Sequence, residues 1–402
     1  MAEYFKRGTK IPLTNGDLLV VKDRLGEGGQ GVVYSVTVGV KDYALKWYHK
    51  GAIANPKRFY KNVGDNIMKG QPTSAFLWPL FLTEEVDGRF GYVMNLRAKN
   101  YKEFGDFLLA RARFGSISAA LTACINITNG FYELHRNGFS YQDLNDGNFF
   151  IDPATGDVMI SDNDNVAPYG EALGIAGKAR YMAPEVVRNQ RKPDIHTDRF
   201  SLAVILFRIL FLDHPLEGKQ VISSPCLTEE LELRYFGKNP VFIYDRADSS
   251  NAPVRGVHGN VIRFWQLYPK MIRDMFTRAF EKEIMQDAGR QKRPTDREWQ
   301  IAFTQLRDML IVCPCGGETF FDPAESSAIC IHCQAKIPRP SILSVDKYKV
   351  VLFPGQKLYL CHIESADSSD AYKRVCGEVI RNPKNPQIWG LKNLSGKQWI
   401  AT

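Results

Sequence analysis

The stretch YQDLNDGN, residues 141–148, decides the fold when it is taken with SDND, residues 161–164. Asp143 and Asn148 lie five residues apart in a predicted loop, and Asp162 follows a predicted β-hairpin that turns at residues 153–156. Loop Asp and Asn residues more often form turns than bind metals, but the joint spacing of these three residues favours a catalytic and metal-binding site. We predict that Asp143 accepts a proton as a general base and that Asn148 and Asp162 bind Mg²⁺.

A glycine-rich stretch, GEGGQGVV at residues 26–33, lies upstream of this loop. Gly26, Gly28 and Gly31 form a GxGxxG pattern, which on its own is weak because dinucleotide-binding folds also use it. The residues after Gly31 continue as a strand and not as a helix, so the glycines are predicted at a hairpin tip that covers phosphates. Lys46 follows fifteen residues later, where its ammonium group can hold the α- and β-phosphates.

The order of these motifs, followed by APE at residues 183–185, resembles the eukaryotic-like, Hanks-type protein kinases over residues 17–310. The resemblance implies ATP and Mg²⁺ as cofactors and a protein as the substrate. It also implies an ATP-binding cleft lined by Val33, Ala44, Met94, Asn95, Leu96 and Phe150.

The same resemblance implies structural roles for three residues of the second lobe. Glu185 of APE is expected to pair with Arg293, and Asp198 is expected to anchor the backbone of the catalytic loop. These elements form a platform for a protein acceptor. We expect serine or threonine as the acceptor, although Lys178 stands where Ser/Thr-specific members carry threonine.

The hydrophobic periodicity changes along the chain from strand-like to helical. We predict an α+β, bilobal kinase fold followed by a zinc ribbon and a small β-rich domain. The predicted domains are a β-rich lobe at residues 1–95, a helical lobe at 96–310, a zinc ribbon at 311–338 and a β-rich tail at 339–402.

Four departures from the family pattern change the expectations. Asp65, nineteen residues after Lys46, is the nearest substitute for the glutamate that usually pairs with the lysine. Gln142 replaces the arginine of HRD, so control by phosphorylation of the activation segment is not expected. Asp162, Asn163 and Asp164 stand in place of the family's DFG motif, so the polar Asn163 replaces an apolar phenylalanine. Asp164 is interpreted as a turn residue, with an additional metal contact as the alternative. Asn145 replaces the catalytic-loop lysine, which indicates slow turnover.

Four cysteines follow the last predicted helix, at positions 313, 315, 330 and 333. Two thiolate pairs separated by fifteen residues resemble the knuckles of a zinc ribbon. We therefore predict that Cys313, Cys315, Cys330 and Cys333 bind Zn²⁺, with His332 able to replace one thiolate. The alternatives are four buried cysteines or a redox pair.

This ribbon, added to a divergent kinase, resembles bacterial kinases of tellurite-resistance-associated phosphorylation systems. That resemblance implies a von Willebrand factor A domain protein and a metal-dependent protein phosphatase as partners. The tail weakly resembles a forkhead-associated-like β-sandwich, and we expect a truncated form of it.

Composition limits the other classes of function. The 402 residues are 44% hydrophobic and 24% charged, and no apolar run is long enough to cross a bilayer, so a cytoplasmic protein is expected. The net charge is +8, but the basic residues of the tail are dispersed, which argues against a nucleic-acid partner. The principal alternative is a pseudokinase that acts as a nucleotide-binding scaffold.

Overall fold

The computed structural model describes residues 4–171, 173–174, 177–364 and 370–399. These residues form a β-rich first lobe, a mainly helical second lobe and further β-hairpins after residue 310. The bilobal α+β fold that the sequence predicts is therefore confirmed. Within the described residues, every helix is too short or too polar to cross a bilayer.

The first lobe is built on one antiparallel sheet with the strand order β1-β2-β3-β4-β6-β5. Its elements are β1 (Lys10–Pro12), β2 (Leu18–Glu27), β3 (Gly31–Val38), β4 (Lys41–Tyr48), α1 (Pro56–Lys69), β5 (Phe81–Leu82) and β6 (Gly91–Met94).

The register of this sheet sets the positions of the cleft residues. Val33 of β3 is paired with Lys46 of β4, and Ala44 of β4 is paired with Met94 of β6. Gly31 begins β3 so close to β4 that a Cβ atom there would lie 2.3 Å from the carbonyl oxygen of Trp47. Only glycine permits this approach, so β3 can begin at Gly31, directly after the hairpin tip at residues 28–30.

Helix α1 begins at Pro56. The side chain of Asn55 caps it by accepting a hydrogen bond from the backbone N–H of Arg58. Its buried face consists of Phe59, Asn62, Val63 and Asn66. Successive side chains of an α-helix point about 100° apart. A residue that is next in sequence to a buried one can therefore point away from the buried face.

The second lobe contains most of the helices. Its strands are β7 (Lys102–Glu103), β8 (Phe139–Ser140), β9 (Phe149–Ile151), β10 (Val158–Ile160) and β11 (Ala167–Pro168). Its helices are α2 (Phe104–Leu108), α3 (Ile117–Arg136), α4 (Pro184–Val187), α5 (Ile195–Phe211), α6 (Lys219–Ile222), α7 (Glu229–Glu232), α8 (Gly259–Leu267), α9 (Lys270–Ala279), α10 (Lys282–Met285) and α11 (Asp296–Asp308).

The core of this lobe is the nearly all-apolar helix α5, which is buried along almost its whole length and packs with α3. Helix α11 also packs against α3. The helical sequence pattern of residues 262–283 does not form one continuous helix. Pro269 has no N–H to donate and its ring clashes with the preceding turn, so α8 ends before it and α9 begins after it.

Two hairpins follow α11, and a further β-rich segment follows them. The hairpins are β12 (Leu310–Val312) with β13 (Glu318–Phe320), and β14 (Ser327–Ile329) with β15 (Lys336–Pro338). The last elements are β16 (Ile342–Val345), β17 (Tyr348–Val351), β18 (Lys357–Tyr359), α12 (Leu360–Ile363), β19 (Val375–Arg381) and β20 (Trp389–Asn393).

Both C-terminal units contact the helical lobe. A carboxylate oxygen of Glu318 in β13 accepts hydrogen bonds from the first N–H groups of α3, those of Ile117 at 2.5 Å and Ser118 at 3.2 Å. The guanidinium of Arg307 in α11 lies 3.6 Å above the ring of Tyr359. These contacts attach the ribbon and the tail to the kinase lobes.

Candidate active site and candidate metal centre

The loop that carries Asp143 is closed by its own side chains. It lies between β8 and a short 3₁₀ helix at Asp146–Asn148. The side-chain oxygen of Asn148 accepts a hydrogen bond from the backbone N–H of Asn145 at 3.0 Å, and the Asn145 side chain accepts one from Gly147 at 3.0 Å. This reciprocal cap fixes the backbone on which Asp143 and Asn148 stand.

Asp198, near the start of α5, anchors the backbone of the same loop. Its carboxylate accepts hydrogen bonds from the backbone N–H groups of Tyr141 at 2.7 Å and Gln142 at 3.4 Å. The ring of His135, near the end of α3, lies 3.1 Å from the same carboxylate. The geometry agrees with the anchoring role expected of Asp198.

Asp143 is half-buried, with its carboxylate 3.2 Å from the side-chain amide of Asn145. Burial raises the pKa of Asp143, and the nearby charge of Asp162 acts in the same direction, while the amide of Asn145 lowers it. A carboxylate whose pKa is raised toward neutral holds a proton more readily than an exposed one. This environment suits a general base.

Asn148 and Asp162 form a pair of oxygen-bearing side chains beside Asp143. The amide nitrogen of Asn148 lies 3.3 Å from a carboxylate oxygen of Asp162. About 40% of the Asp162 side chain is exposed, so this carboxylate can face a ligand in the cleft. The Asp162 carboxylate and the amide oxygen of Asn148, which already accepts one hydrogen bond from Asn145, are hard oxygen donors of the kind that Mg²⁺ prefers.

Lys46 is buried, and its ammonium group has three oxygen partners. They are Gln30 at 3.1 Å, Asp162 at 3.1 Å and Asp164 at 2.9 Å. Burial lowers the pKa of Lys46, but the two carboxylates more than offset this effect and hold it above its ordinary value. The lysine is therefore a fixed cation at the back of the cleft.

The expectation that Asp65 pairs with this lysine is wrong. Asp65 is exposed and forms an i,i+4 salt bridge with Lys61 at 3.1 Å on the outer surface of α1. It lies next to Asn66 in the sequence, and Asn66 is on the buried face, so helical phase turns Asp65 outward.

Asp164 instead supplies a second acidic partner. Its backbone lies in a short 3₁₀ turn at Asn163–Asn165, as the turn interpretation requires, but its side chain is fully buried against Lys46. Its carboxylate also accepts hydrogen bonds from the hydroxyls of Tyr48 at 2.6 Å and Tyr92 at 3.0 Å.

The residues predicted for the adenine pocket are close together. Ala44 and Met94 are buried in one hydrophobic cluster, against which Val33 and Leu96 pack. Asn95 follows β6 and is half-buried.

Phe150 is in β9, where its strand neighbour Met159 packs against that same cluster. The guanidinium of Arg97 lies 4.3 Å above the Phe150 ring.

Gly26 and Gly28 are exposed at the hairpin tip, where the N–H of Gly28 donates to the carbonyl of Gly31 at 2.9 Å. Both are therefore available at the mouth of the cleft.

The expected pair of Glu185 and Arg293 is present in the geometry. The two terminal nitrogens of Arg293 donate to the two carboxylate oxygens of Glu185, each at 2.8 Å, and both side chains are buried. Such a bidentate pair holds its geometry better than a single contact. It ties α4 to the loop before α11.

Three contacts near the site involve residues for which the sequence predicted no such role. Gln142 bonds the backbone of the activation segment, His135 contacts Asp198, and Tyr48 and Tyr92 hold Asp164. The extra acid in SDND was a visible signal for Asp164. Nothing in the local pattern marked the tyrosines, because they meet the acid only after the two lobes pack.

The second candidate site is the cysteine cluster between the two hairpins after α11. The sulfur atoms of Cys313, Cys315, Cys330 and Cys333 all lie within 4.8 Å of one another. Two of the sulfur pairs, 313 with 333 and 315 with 330, are 3.7 Å apart. Tetrahedral thiolates about 2.3 Å from zinc would stand about 3.8 Å apart, so the donor set fits Zn²⁺.

His332 is not part of this cluster. Its ring packs against Gly317, and one ring nitrogen lies 3.1 Å from the carbonyl oxygen of Glu318. The four thiols therefore make up the whole candidate ligand set among the residues that the structure describes.

Three known protein kinases resemble this chain over more than half of its length. Protein kinase YegI of Escherichia coli (strain K12) is 25% identical over 77% of the chain and 48% of its own length. Human cGMP-dependent protein kinase 2 is 28% identical over 53% of the chain and 28% of its length. Human beta-adrenergic receptor kinase 1 is 26% identical over 56% of the chain and 33% of its length. The chain thus spans about half the length of YegI and about a third or less of the other two.

The model of the protein kinase domain matches residues 19–235, which is just over half of the chain. That range contains the glycine-rich hairpin, Lys46, the Asp143 loop, SDND and APE. By its sequence, its fold and the arrangement of its cleft, the chain belongs to the protein kinase family.

Proposed function

We propose that this protein is an ATP- and Mg²⁺-dependent protein kinase that transfers the γ-phosphoryl group to serine or threonine hydroxyls of protein substrates. The observation that carries this proposal is the convergence of Lys46, Asp162 and Asn148 beside Asp143. Lys46 and Asn148 lie 3.1 and 3.3 Å from the carboxylate oxygens of Asp162.

Each of these residues has one task in the proposed reaction. Lys46 holds the phosphates of the nucleotide, and the glycine-rich hairpin covers them. Asn148 and Asp162 would hold Mg²⁺, which neutralises charge on the phosphates when it is bound. Asp143 accepts the proton of the attacking hydroxyl, and the raised pKa of its carboxyl favours this transfer.

The preference for serine or threonine rests on the resemblance to Hanks-type kinases.

Lys178 is exposed and its ammonium lies 3.1 Å from Asp146 in the catalytic loop. It also lowers the pKa of Asp143, although less than burial raises it. This cation compensates in part for the lysine that Asn145 replaces.

We further propose that the activation segment needs no phosphate to hold its place. The Gln142 side chain donates to the carbonyl of Glu171 at 2.5 Å and accepts from the N–H of Leu173 at 3.1 Å. A neutral amide thus binds the segment backbone directly, where an arginine would need a phosphate partner.

The cysteine cluster supports a structural Zn²⁺ site at residues 311–338, and the tail at 339–402 is proposed as an interaction domain. By resemblance, the partners are a von Willebrand factor A domain protein and a metal-dependent protein phosphatase of a tellurite-resistance-associated system. A cytoplasmic location is proposed as well, because clustered cysteines that bind a metal are typical of a reducing compartment.

The alternative is a pseudokinase scaffold, which Asn145 and the exposed Asp65 favour. It predicts binding of MgATP without transfer of phosphate. The retained set of Lys46, Asp143, Asn148 and Asp162 favours catalysis.

The decisive experiment is incubation of the protein with MgATP, followed by mapping of phosphorylated residues by mass spectrometry. Asp143→Ala should lower transfer by about 10²-fold or more while MgATP binding persists, because the base acts on the acceptor. Asp23→Ala, an exposed carboxylate of the first lobe, is the matched control and should keep full activity. Equal activity of Asp143→Ala and the parent would contradict the assignment.

A second arm of the same experiment tests the activation segment. Treatment with phosphatase before the assay should leave the rate unchanged. A lag that ends only when Tyr169 or Tyr181, the hydroxyl-bearing residues of the segment 163–182, has been phosphorylated again would contradict the proposed role of Gln142.

A further inference from the structure

The acidic partner of Lys46 comes from an unexpected element. Two carboxylates contact the ammonium group, and they differ in exposure: Asp162 is 40% exposed, whereas Asp164 is fully buried. Asp162 can therefore turn toward a ligand in the cleft, while Asp164 cannot leave its contact without breaking a buried ion pair.

Among the residues that the structure describes, the donors to the Asp164 carboxylate all belong to the first lobe. Lys46 and Tyr48 are two residues apart in β4, and their side chains therefore lie on the same face of the sheet. Tyr92 is the strand neighbour of Lys46 in β6 and reaches the other carboxylate oxygen. Three donors from two adjacent strands thus surround one carboxylate.

Helix α1 contributes no acid to this arrangement. The side-chain amides of Asn62 and Asn66 on its buried face donate to a single acceptor, the carbonyl of Val166, at 2.8 and 2.9 Å. Asp65 is turned to the outer surface. The helix is therefore tied to the segment that carries Asp164 and not to the lysine.

We propose that Asp164 is the positioning residue that holds Lys46 in place for the nucleotide phosphates, in the position that a carboxylate of α1 would otherwise occupy. The inference rests on the proposed binding of ATP at this cleft. Asp164 retains the lysine when Asp162 turns to the ligand. Because Asp164 belongs to the second lobe and its donors to the first, the same contact joins the two lobes without help from α1.

The test compares Asp164→Asn with Asp65→Asn in the full chain. Both changes replace one carboxylate with an amide of the same size, but only the first removes the buried charge beside Lys46. Loss of one charge-assisted contact should weaken MgATP binding by about tenfold or more, measured by calorimetry. Asp65→Asn should bind within about twofold of the parent, because exposed i,i+4 pairs contribute little.

A kinetic measurement separates positioning from general destabilisation. With Lys46 loose, KM for ATP should rise in Asp164→Asn while KM for the protein acceptor stays near the parent value. A purely structural role would reduce the active fraction, which lowers the apparent kcat and leaves KM for ATP unchanged. That second pattern would overturn the inference.

The outcomes also separate this inference from the proposed function. A parent protein that binds MgATP but transfers no phosphate would contradict the kinase assignment alone, and the calorimetric comparison would still decide the role of Asp164. Equal MgATP affinity in Asp164→Asn and the parent would contradict the inference alone. A parent that binds no MgATP would contradict both.

Discussion

At the scale of single residues, the buried His135 supports the catalytic loop through Asp198. The ring nitrogens of His135 lie 2.8 Å from Asp296 and 3.1 Å from Asp198. Burial lowers the pKa of His135, but Asp296 and Asp198 more than reverse this and raise it to about 9. Both ring nitrogens therefore carry hydrogens at neutral pH and donate to the two acids, with Arg199 as the next cation at 3.9 Å from Asp296.

This pair of contacts predicts a specific pH dependence of stability. The pKa of His135 is about 9 in the folded protein and about 6.5 in the unfolded chain, so the folded state binds the proton more tightly. The stabilisation is complete below pH 6.5 and is lost as the pH rises through 9, by roughly 3 kcal/mol. Urea unfolding of the parent and of His135→Gln should therefore show a difference that shrinks over this range.

His196 provides the control, because burial lowers its pKa. The difference in the free energy of unfolding between the parent and His196→Gln should stay constant between pH 6.5 and 9. A constant difference between His135→Gln and the parent at all pH values would contradict the assigned charge of His135.

Residues of one local motif lie together in the cleft, whereas the partner of Lys46 comes from an element that the sequence did not indicate. The SDND spacing indicated a cleft acid in Asp162, and the structure brings it to Lys46. The identity of the second acid depends on the rotational phase of α1 and on how the lobes meet. Counting nineteen residues from Lys46 to Asp65 measures neither of these.

At the scale of elements, helix α3 depends on a residue from the ribbon. Its first N–H groups are satisfied by Ser116, which accepts from Ala119 at 3.0 Å, and by Glu318 of β13. A carboxylate at this end also complements the helix dipole. The two ends of this contact are about 200 residues apart in the sequence, so helix signals alone could not predict it.

The zinc site should therefore affect more than its own hairpins. Cys330→Ser should lower the zinc content from about one per chain, because structural zinc supplies folding energy to such ribbons. Loss of the ribbon would also free the α3 terminus from Glu318 and destabilise the second lobe by about 1 kcal/mol. Elemental analysis and thermal unfolding measure the two effects.

Cys226→Ser is the matched control, since Cys226 is exposed and lies outside the cluster. This variant should keep its zinc and its melting temperature. A full complement of zinc in Cys330→Ser, or none in the parent, would show that the cluster is not a zinc site.

Across the whole molecule, the tail is packed into the second lobe through a buried polar contact. His362 of α12 accepts a hydrogen bond from the N–H of Tyr359 at Nδ1, so Nε2 carries the hydrogen and donates to Asp308 at 3.1 Å. Both His362 and Asp308 have fully buried side chains. Composition predicted a β-rich tail but not this docking, because the two residues are 54 positions apart.

Removal of one member of this contact should destabilise the protein more than removal of both. His362→Leu leaves the Asp308 carboxylate buried without its donor, which costs roughly 2 to 4 kcal/mol. The double variant with Asp308→Leu should recover part of this loss, as measured by urea unfolding. Equal stability of the single variant and the parent would mean that the tail is not docked as described.

The amides between α1 and the SDND segment have a consequence for small-molecule inhibitors. Asn163 is fully buried at the position where the family pattern carries phenylalanine, and the side-chain oxygens of Asn66 and Asn163 have no hydrogen-bond partner among the described residues. Compounds that bind by displacing that phenylalanine with an apolar group should bind this protein poorly, because they would bury a polar amide instead. A compound that offers a hydrogen-bond donor to the Asn163 oxygen should bind this protein more tightly than it binds kinases that carry phenylalanine there.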